Sequence, residues 1–283
     1  MLANWKSIAV FIDDTPEGER IGDYAASLAR RFDAHLIGIH IISGYPGEHP
    51  SDSFARGEVA VDDVITRKDA AEQEMSVALG RRFAAVSRKE EISAEFRVIW
   101  SWGDDAEAVI NSLHSDVVIL GHPRAPGLPK SWPADRLLLA SGVPAIVIPD
   151  QWKSTTLGMR VLIGWNGSRA ARRAIGDAIP LLTAAEAVTV LVVDAHKAPN
   201  RFGAEPGADI SLYLSRHNVR VELEQVTSSG SSIAEAVLSK AAEQESDLIV
   251  IGAYSHARSA EMLFGGVTRD LLARAPLPLF LSH

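Results

Sequence analysis

Short apolar runs recur along the chain and alternate with longer segments in which apolar residues repeat at helical spacing. The runs SIAVFI, HLIGIHII, EFRVIW, VVILG and AIVIP fall between residues 7 and 149, and RVLIG, AVTVLVV, VELEQV, LIVIG and PLFLS between residues 160 and 282. Runs such as VVILG and LIVIG are apolar throughout, which is typical of strands covered by helices on both faces. The pattern predicts ten strands in two groups of five.

The two groups of strands follow the same plan. SIAVFIDDTPEGERIGDYAASLARRF in the first half corresponds to RVLIGWNGSRAARRAIGDAIPLL in the second: a strand, a turn with Asp or Asn, then a helical pattern containing Ile-Gly-Asp. The longest connection, between the second and third strands of the first half, includes a helical pattern from Val59 to about Ser87. We therefore place one domain at residues 1–150 and another at 157–283, joined by QWKSTTLG.

Alternation of strands and helices predicts the topology. We expect an α/β fold with two tandem doubly wound open sheets, mostly parallel, each with five strands in the order 3-2-1-4-5. Ligands bind such sheets beyond the carboxyl ends of the strands, where the winding direction reverses. The turn WNGS at 165–168 and the loop after Gly252 should therefore face one another across a crevice.

The fifth strand of each half, in VPAIVIPD and LPLFLSH, has no helix after it to cover its edge. Exposed edges of this kind favour pairing with another strand. Because the linker is short, the two edges are held at high effective concentration, and we expect them to pair within the chain as an internal pseudo-dimer. A homodimer that forms through another face of the protein is compatible with this pairing.

Composition and charge exclude several classes of function. The chain has 283 residues, 47% of them apolar, and a formal net charge of −8, which argues against nucleic-acid binding. It contains no cysteine, which excludes disulfides, thiolate metal sites and cysteine nucleophiles. No apolar run reaches the roughly 18 residues that a membrane span needs, and the first residues lack the features of a signal peptide. The expected location is the cytoplasm.

The segment IGAYSHARSAEMLFGGVTRDLL has the arrangement of an anion site. Gly252 ends a strand, and Gly265 and Gly266 permit positive φ and close approach of an anion at the start of a helix. Thr268 adds a hydroxyl in the first helical turn. Dinucleotide, Walker-type, zinc-protease and Gly-x-Ser-x-Gly motifs are absent. From these residues alone, a phosphate site and a plain strand-to-helix connection fit equally well.

The spacing of these residues resembles that of the universal stress protein family, and the resemblance covers both halves of the chain. ATP-binding members carry glycine, two residues, glycine, nine residues, glycine, and then Ser or Thr. Here Ser255 takes the place of the second glycine, and Gly266 that of the Ser or Thr. The resemblance implies a tandem member that binds ATP, ADP or AMP, with or without Mg²⁺, in its second domain. The residues implied for that site are Asn166, Val193, Gly252, Ser255, His256, Gly265, Gly266, Val267 and Thr268.

The corresponding loop of the first half differs in composition. It has prolines at 123, 126, 129 and 133 and lacks the glycine pair. Proline has no N–H to offer a phosphate, so we expect one nucleotide site per chain, in the second half. Asp13 lies where the family has its adenine-contacting Asp, but without the loop we expect Asp13-Asp14 to cap a helix.

Three functions fit these patterns. The first is a stress-response protein that binds an adenine nucleotide and signals through its bound state. No nucleophile and base form a recognisable pair and the nine histidines are scattered, so we assign neither catalytic residues nor metal ligands. The second is a nucleotide hydrolase or transferase, for which Glu261 and Asp270 are the loop carboxylates. The third is a partner-binding scaffold in which both sites have lapsed. Slow ATP hydrolysis by a binding protein also stays open.

Overall fold

Ten strands in the described part of the chain form one continuous sheet. The computed structural model describes residues 4–43, 58–101, 106–122, 137, 140–197, 199–253 and 266–283. The strands are β1 Ser7–Phe11, β2 His35–Ser43, β3 Ala94–Ser101, β4 Val117–His122, β5 Ala145–Pro149, β6 Arg160–Gly164, β7 Ala187–Val193, β8 Val221–Val226, β9 Leu248–Gly252 and β10 Leu279–Ser282. The helices are α1 Pro16–Phe32, α2 Glu58–Lys89, α3 Ala106–Ser112, α4 Arg169–Thr183, α5 Pro199–Phe202, α6 Ala208–Arg216, α7 Ile233–Glu243 and α8 Gly266–Arg274, with a 3-10 turn at Ala195–Lys197.

The sheet order confirms the predicted topology. It runs β3-β2-β1-β4-β5-β10-β9-β6-β7-β8, so each half has the order 3-2-1-4-5. Neighbouring strands within each half are parallel. The fifth strands β5 and β10 pair antiparallel, with Leu279 opposite Val147. The predicted edge pairing therefore joins two five-stranded sheets into one sheet of ten strands.

Side chains alternate between two apolar layers, one on each face of the sheet. On β10, Phe280 belongs to one layer, while Leu279 and Leu281 belong to the other. Trp5 from the first half lies parallel to Phe280 from the second, with ring centroids 6.2 Å apart. Both layers contain residues from both halves, so the core runs without interruption across the β5–β10 junction. Within the described residues, no helix combines the length and the apolar character needed to span a membrane.

An aspartate before the fourth strand of each half holds the start of the first strand. Asp116 accepts hydrogen bonds from the backbone N–H groups of Lys6 and Ser7, at 2.6 and 2.9 Å. Asp247 accepts from those of Met159 and Arg160, each at 2.9 Å. Each carboxylate thus satisfies two backbone donors at a strand start. This equivalence extends the repeat from the sequence pattern to individual hydrogen bonds.

The helix that follows the first strand is capped by a hydroxyl in both halves. In the first half the cap is Thr15, whose side chain accepts from the N–H of Gly18, and Pro16 begins the helix. The prediction that Asp13-Asp14 caps this helix was wrong in that detail: Asp13 accepts from the N–H of Thr15 at 3.0 Å and so positions the capping residue. In the second half Ser168 caps α4.

The two halves differ most between their second and third strands. The first half has the 32-residue helix α2, close to the predicted span. The second half has only the 3-10 turn and the short helices α5 and α6 in that connection. Short elements directly after β7 place polar residues beyond the carboxyl end of that strand, which is where the candidate site lies.

Candidate functional site

A cavity of about 500 Å³ opens beyond the carboxyl ends of β6, β7 and β9. In the sheet, β6 lies between β9 and β7, so the cavity is at the strands where the winding direction reverses. Trp165 and Asn166 line it after β6, and Gly252 and Gly266 line it around β9 and α8. The volume is within the range typical of small-molecule sites.

The structure brings most of the predicted site residues to this cavity. The lining includes Asn166, Val193, Gly252, Gly266, Val267 and Thr268. The other three, Ser255, His256 and Gly265, lie outside the described residues, as does Glu261.

Gly252 is required by the packing of a helix. A Cβ at this position would lie 2.2 Å from the carbonyl carbon of Ala170 and 2.2 Å from the nitrogen of Ala171. Both atoms belong to the backbone of α4, which cannot shift without moving the helix. The glycine at the end of β9 therefore lets the first turn of α4 approach the sheet, whether or not a ligand binds beside it.

Gly266 has a different environment. It begins α8 and lies outside the left-handed region, so its backbone does not use the positive φ that the sequence permitted there. Among the described residues, a Cβ added at Gly266 would meet no atom within 4 Å beyond its chain neighbours and its own helix backbone. Because Gly266 also lines the cavity, the missing side chain leaves space for a ligand next to the start of a helix.

The first turn of α8 places two further predicted residues in the lining. Thr268 is buried, and its hydroxyl lies 3.5 Å from the carbonyl oxygen of Gly252, at the limit of a hydrogen bond. Val267 is exposed and contributes apolar surface to the cavity lining. No acidic residue occupies this first turn. The backbone N–H groups of the first turn therefore lie next to the cavity without a carboxylate in that turn to compete for them.

Asn166 lies at the turn after β6. Its side-chain oxygen accepts a hydrogen bond from the N–H of Ser168 at 3.1 Å, and the Ser168 hydroxyl in turn accepts from the N–H of Ala171. Within the described part of the chain, the amide nitrogen of Asn166 has no hydrogen-bond partner. The residue therefore both shapes the turn and leaves a donor at the cavity wall.

A buried carboxylate that the sequence analysis missed lies on the opposite wall. Asp194 directly follows β7 and lines the cavity, with only 7% of its surface exposed. It accepts hydrogen bonds from Lys197 Nζ at 2.7 Å and from the N–H and hydroxyl of Ser228 at 2.8 and 2.7 Å. Hydrogen bonds from Lys197 and then from Ser228 hold the pKa of Asp194 well below its usual range. Asp194 is therefore ionised at neutral pH.

Other lining residues on this wall were missed as well. They are Lys197, Arg201, Phe202, Ser228 and Ser231. Arg201 has no hydrogen bond or ion pair among the described residues. Its side chain packs against Gly167, so closely that a Cβ added to Gly167 would lie 2.9 Å from Cγ of Arg201. A usable signal was the run DAHKAPNRF, since polar residues directly after a strand in such sheets lie at the ligand-binding edge.

The charges of the lining favour an anionic ligand. The described lining residues include one carboxylate, Asp194, and two cationic side chains, Lys197 and Arg201, which gives a local charge of about +1 in a chain whose formal charge is −8. No group of three or more His, Asp or Glu residues able to hold a metal ion occurs among the described residues. The carboxylate of Asp270, a candidate for holding a metal ion, is not part of such a group within the described ranges. Its Oδ1 lies 4.0 Å from Nε of Arg269.

Comparisons with solved structures agree with this architecture. A universal stress protein from Archaeoglobus fulgidus DSM 4304 superposes with a TM-score of 0.65 at 15% identity, covering 98% of this chain and 95% of that one. A functionally unknown protein from Pseudomonas aeruginosa PAO1 gives 0.60 at 14% identity, covering 98% and 92%. A putative universal stress protein from Pseudomonas aeruginosa UCBPP-PA14 gives 0.59 at 14%, covering 98% and 93%. At such identities these likenesses show the fold alone.

Family membership rests on the sequence of each half. The model of the universal stress protein family matches residues 4–149 and, separately, residues 159–283. No curated protein matches the chain. Since the two matches together span nearly all of its length, the chain belongs to the universal stress protein family, as a tandem member that carries the family's fold twice.

Proposed function

We propose that the protein binds one adenine nucleotide per chain in the cavity of its second half, and that it acts in a stress response through the bound state rather than through turnover. The observation that carries this proposal is the cavity at the winding reversal, which has the start of a helix on one wall and apolar side chains on another. The spacing of Gly252, Gly265 and Gly266, which resembles that of ATP-binding family members, supports the same ligand.

The phosphates fit the wall formed by α8. Its first N–H groups lack partners within the helix, and the helix dipole favours negative charge at this end. Gly266 leaves room for close approach, because no described residue outside its own helix and chain neighbours has an atom within 4 Å of the position of its missing Cβ. Thr268 adds a hydroxyl to the same wall. Such an arrangement binds phosphate through backbone groups and does not need a lysine.

The base fits the apolar part of the lining. Val193, at the end of β7, and Phe202 contribute apolar surface, and Trp165 offers an indole ring that is partly buried. Ile233, at the start of α7, is 41% exposed although it is large and apolar. A planar base would cover such surface and remove it from water.

Titration calorimetry with ATP and Mg²⁺ tests the proposal. We expect a stoichiometry near one per chain, because the loop of the first half carries four prolines in place of the glycine pair. Gly266→Val should abolish measurable binding, since its side chain would occupy the space next to the helix start. The fold should be retained, because no side chain or backbone from other described elements occupies that space.

Ala208→Val is the matched control. Ala208 is the first residue of α6, so the substitution places the same side chain at the same position of another helix, outside the cavity lining. We expect this variant to bind ATP like the unmodified chain. Unchanged affinity in Gly266→Val with a normal circular dichroism spectrum would place the ligand elsewhere, and two equivalent sites would overturn the assignment to one half.

Two measurements on the purified protein distinguish a nucleotide-binding protein from a hydrolase and from a partner-binding scaffold: release of nucleotide on denaturation, and release of phosphate by the folded protein. Nucleotide released on heat denaturation, without phosphate release by the folded protein, is expected for a binding protein. Rapid phosphate release would instead indicate a hydrolase. A protein that neither contains nor takes up nucleotide would fit a partner-binding scaffold.

A further inference from the structure

We propose that Asp194 accepts a hydrogen bond from a ribose hydroxyl of the bound nucleotide, so that the cavity selects ribonucleotides over their deoxy analogues. This inference rests on the proposed function and adds to it the residue that distinguishes one class of sugar from another.

The geometry around Asp194 leaves one acceptor position for a ligand. An ionised carboxylate offers about four such positions on its two oxygens. Three are taken: Oδ1 accepts from the N–H of Ser228, and Oδ2 accepts from the Ser228 hydroxyl and from Lys197 Nζ. Because Asp194 is otherwise buried and lines the cavity, a donor able to fill the remaining position must come from the cavity.

The chemistry of the group selects a neutral donor. With its pKa held well below the usual range by Lys197 and Ser228, Asp194 is an acceptor only, and its charge repels a phosphate. A hydroxyl supplies the donor without adding negative charge. Lys197 and Ser228 fix both oxygens, so the carboxylate is already oriented before the ligand binds. A carboxylate that cannot turn toward another partner distinguishes a sugar that has the hydroxyl from one that lacks it.

The position of Asp194 in the sheet separates it from the proposed phosphate wall. Gly266 follows β9, whereas Asp194 follows β7, and β6 lies between these two strands. Two strand spacings correspond to about 10 Å. A nucleotide that lies across the carboxyl ends, with its phosphates at α8, therefore extends its sugar and base toward β7.

The backbone of Asp194 is held in a defined conformation. Its φ is 54°, in the left-handed region that favours glycine. This conformation is kept by hydrogen bonds from the backbone N–H of Asp194 to Val226 and from the N–H of Lys197 to the carbonyl of Asp194. Aspartate adopts this region more readily than most residues, so the backbone holds Asp194 in place without marked strain.

The test compares ATP with 2′-deoxy-ATP and 3′-deoxy-ATP by calorimetry. The unmodified chain should bind ATP roughly tenfold more tightly than at least one analogue, as expected for the loss of a hydrogen bond to a charged group. Asp194→Ala should bring this ratio close to one, and Asp194→Asn should lower it several-fold, because a neutral acceptor gives a weaker bond. The ratio is the decisive readout, since a general weakening of the site lowers all affinities together.

Ser228→Ala and Lys197→Met are the matched controls. Each removes one donor to Asp194 and leaves the carboxylate in place, so the preference for ATP should fall less than in Asp194→Ala, although overall affinity falls as well. Equal affinities for ATP and both analogues in the unmodified chain would overturn the inference, whatever the variants do. A preference retained by a folded Asp194→Ala variant would do the same. If none of the three nucleotides binds, the proposed function fails as well.

Discussion

At the scale of single residues, two glycines of one predicted loop have different physical roles. The sequence places both Gly252 and Gly266 in the predicted nucleotide site, Gly252 at the end of a strand and Gly266 where a phosphate could approach closely. The structure shows that Gly252 makes room for the backbone of α4, whereas Gly266 faces empty space at the cavity. A glycine at a ligand-binding motif can therefore be needed by the fold itself, and substitutions at the two positions should have separable effects.

Gly252→Ala should destabilise the folded state by about 1–3 kcal/mol, the usual cost of forcing extra atoms into a packed interior. The added Cβ would lie 2.2 Å from backbone atoms of Ala170 and Ala171, which cannot rotate away as a side chain does. Urea denaturation measures the change. Gly266→Ala is the control: the φ of Gly266 lies outside the left-handed region, so the substitution should leave the free energy of unfolding unchanged or raise it by up to about 1 kcal/mol. Equal effects at the two positions would contradict this account.

The Asp194 cluster should make part of the stability depend on pH. The folded-state pKa of Asp194 lies below its ordinary value, so its hydrogen bonds with Lys197 and Ser228 stabilise the fold fully above about pH 4. As the pH falls below about 4, the unfolded chain takes up a proton before the folded one, and the stabilisation is progressively lost. The difference in free energy of unfolding between the unmodified chain and Asp194→Asn should therefore shrink from pH 7 to pH 3.5. A constant difference would contradict the assigned direction.

At the scale of elements, the pairing of β5 with β10 turns two exposed edges into the middle of one sheet. Both strands are buried along their whole length, as expected once each edge is covered by the other. The register places Leu279 opposite Val147 and Leu281 opposite Ala145. Each half would otherwise present an apolar edge to other chains.

A double variant with cysteines at Val147 and Leu279 should form a disulfide within one chain. Directly opposite residues of antiparallel strands have Cα atoms about 4.5–5.5 Å apart, within the range that disulfides span. The chain has no native cysteine to compete, so the mass of the oxidised monomer and its peptides identifies the bond. Cysteines at Val147 and Leu281, displaced by two residues in the register, should form it far less readily. Crosslinks found only between chains would contradict the internal pairing.

At the scale of the whole molecule, helix α1 of the first half holds the linker and part of the second half. Arg20 donates to the carbonyl of Asp150 at 2.8 Å, and the Tyr24 hydroxyl donates to that of Ser154 at 2.6 Å. Arg31 donates to the carbonyls of Leu157, before β6, and Ala184, after α4. One helix thereby satisfies backbone oxygens along the connection and fixes the two halves relative to one another.

Arg31→Met should lower the free energy of unfolding by about 1–3 kcal/mol, because the carbonyls of Leu157 and Ala184 lose a charged donor in a half-buried position. Methionine preserves much of the apolar stem, so the effect reports the lost hydrogen bonds. Arg30→Met is the neighbouring control: Arg30 is 65% exposed and pairs with Glu90, and its loss should cost less than about 1 kcal/mol. Equal losses in the two variants would show that Arg31 is not the anchor.

The sequence by itself determined the repeat, the ten strands, the strand order and the pairing of the fifth strands. These features follow from patterns that are local to each segment: continuous apolar runs, helical spacing such as that of residues 59–87, and an uncovered final strand in each half. Strands with both faces covered leave few topologies, and the expected order 3-2-1-4-5 was one of them, which the structure confirmed. The candidate site could be predicted as far as its place in the sheet and its glycine loop.

Only the tertiary structure decided which side chains meet at that place. Asp194 and Ser228 are 34 residues apart in the chain, and neither belongs to a motif that indicates the other. Likewise Gly252 is required because α4 packs against it, and Thr15 rather than Asp13 caps α1 because the carboxylate turns back to the Thr15 N–H. Hydrophobic periodicity specifies which elements form and which faces they bury. Contacts between polar residues far apart in the chain depend instead on angles and distances that arise only when those faces have packed together.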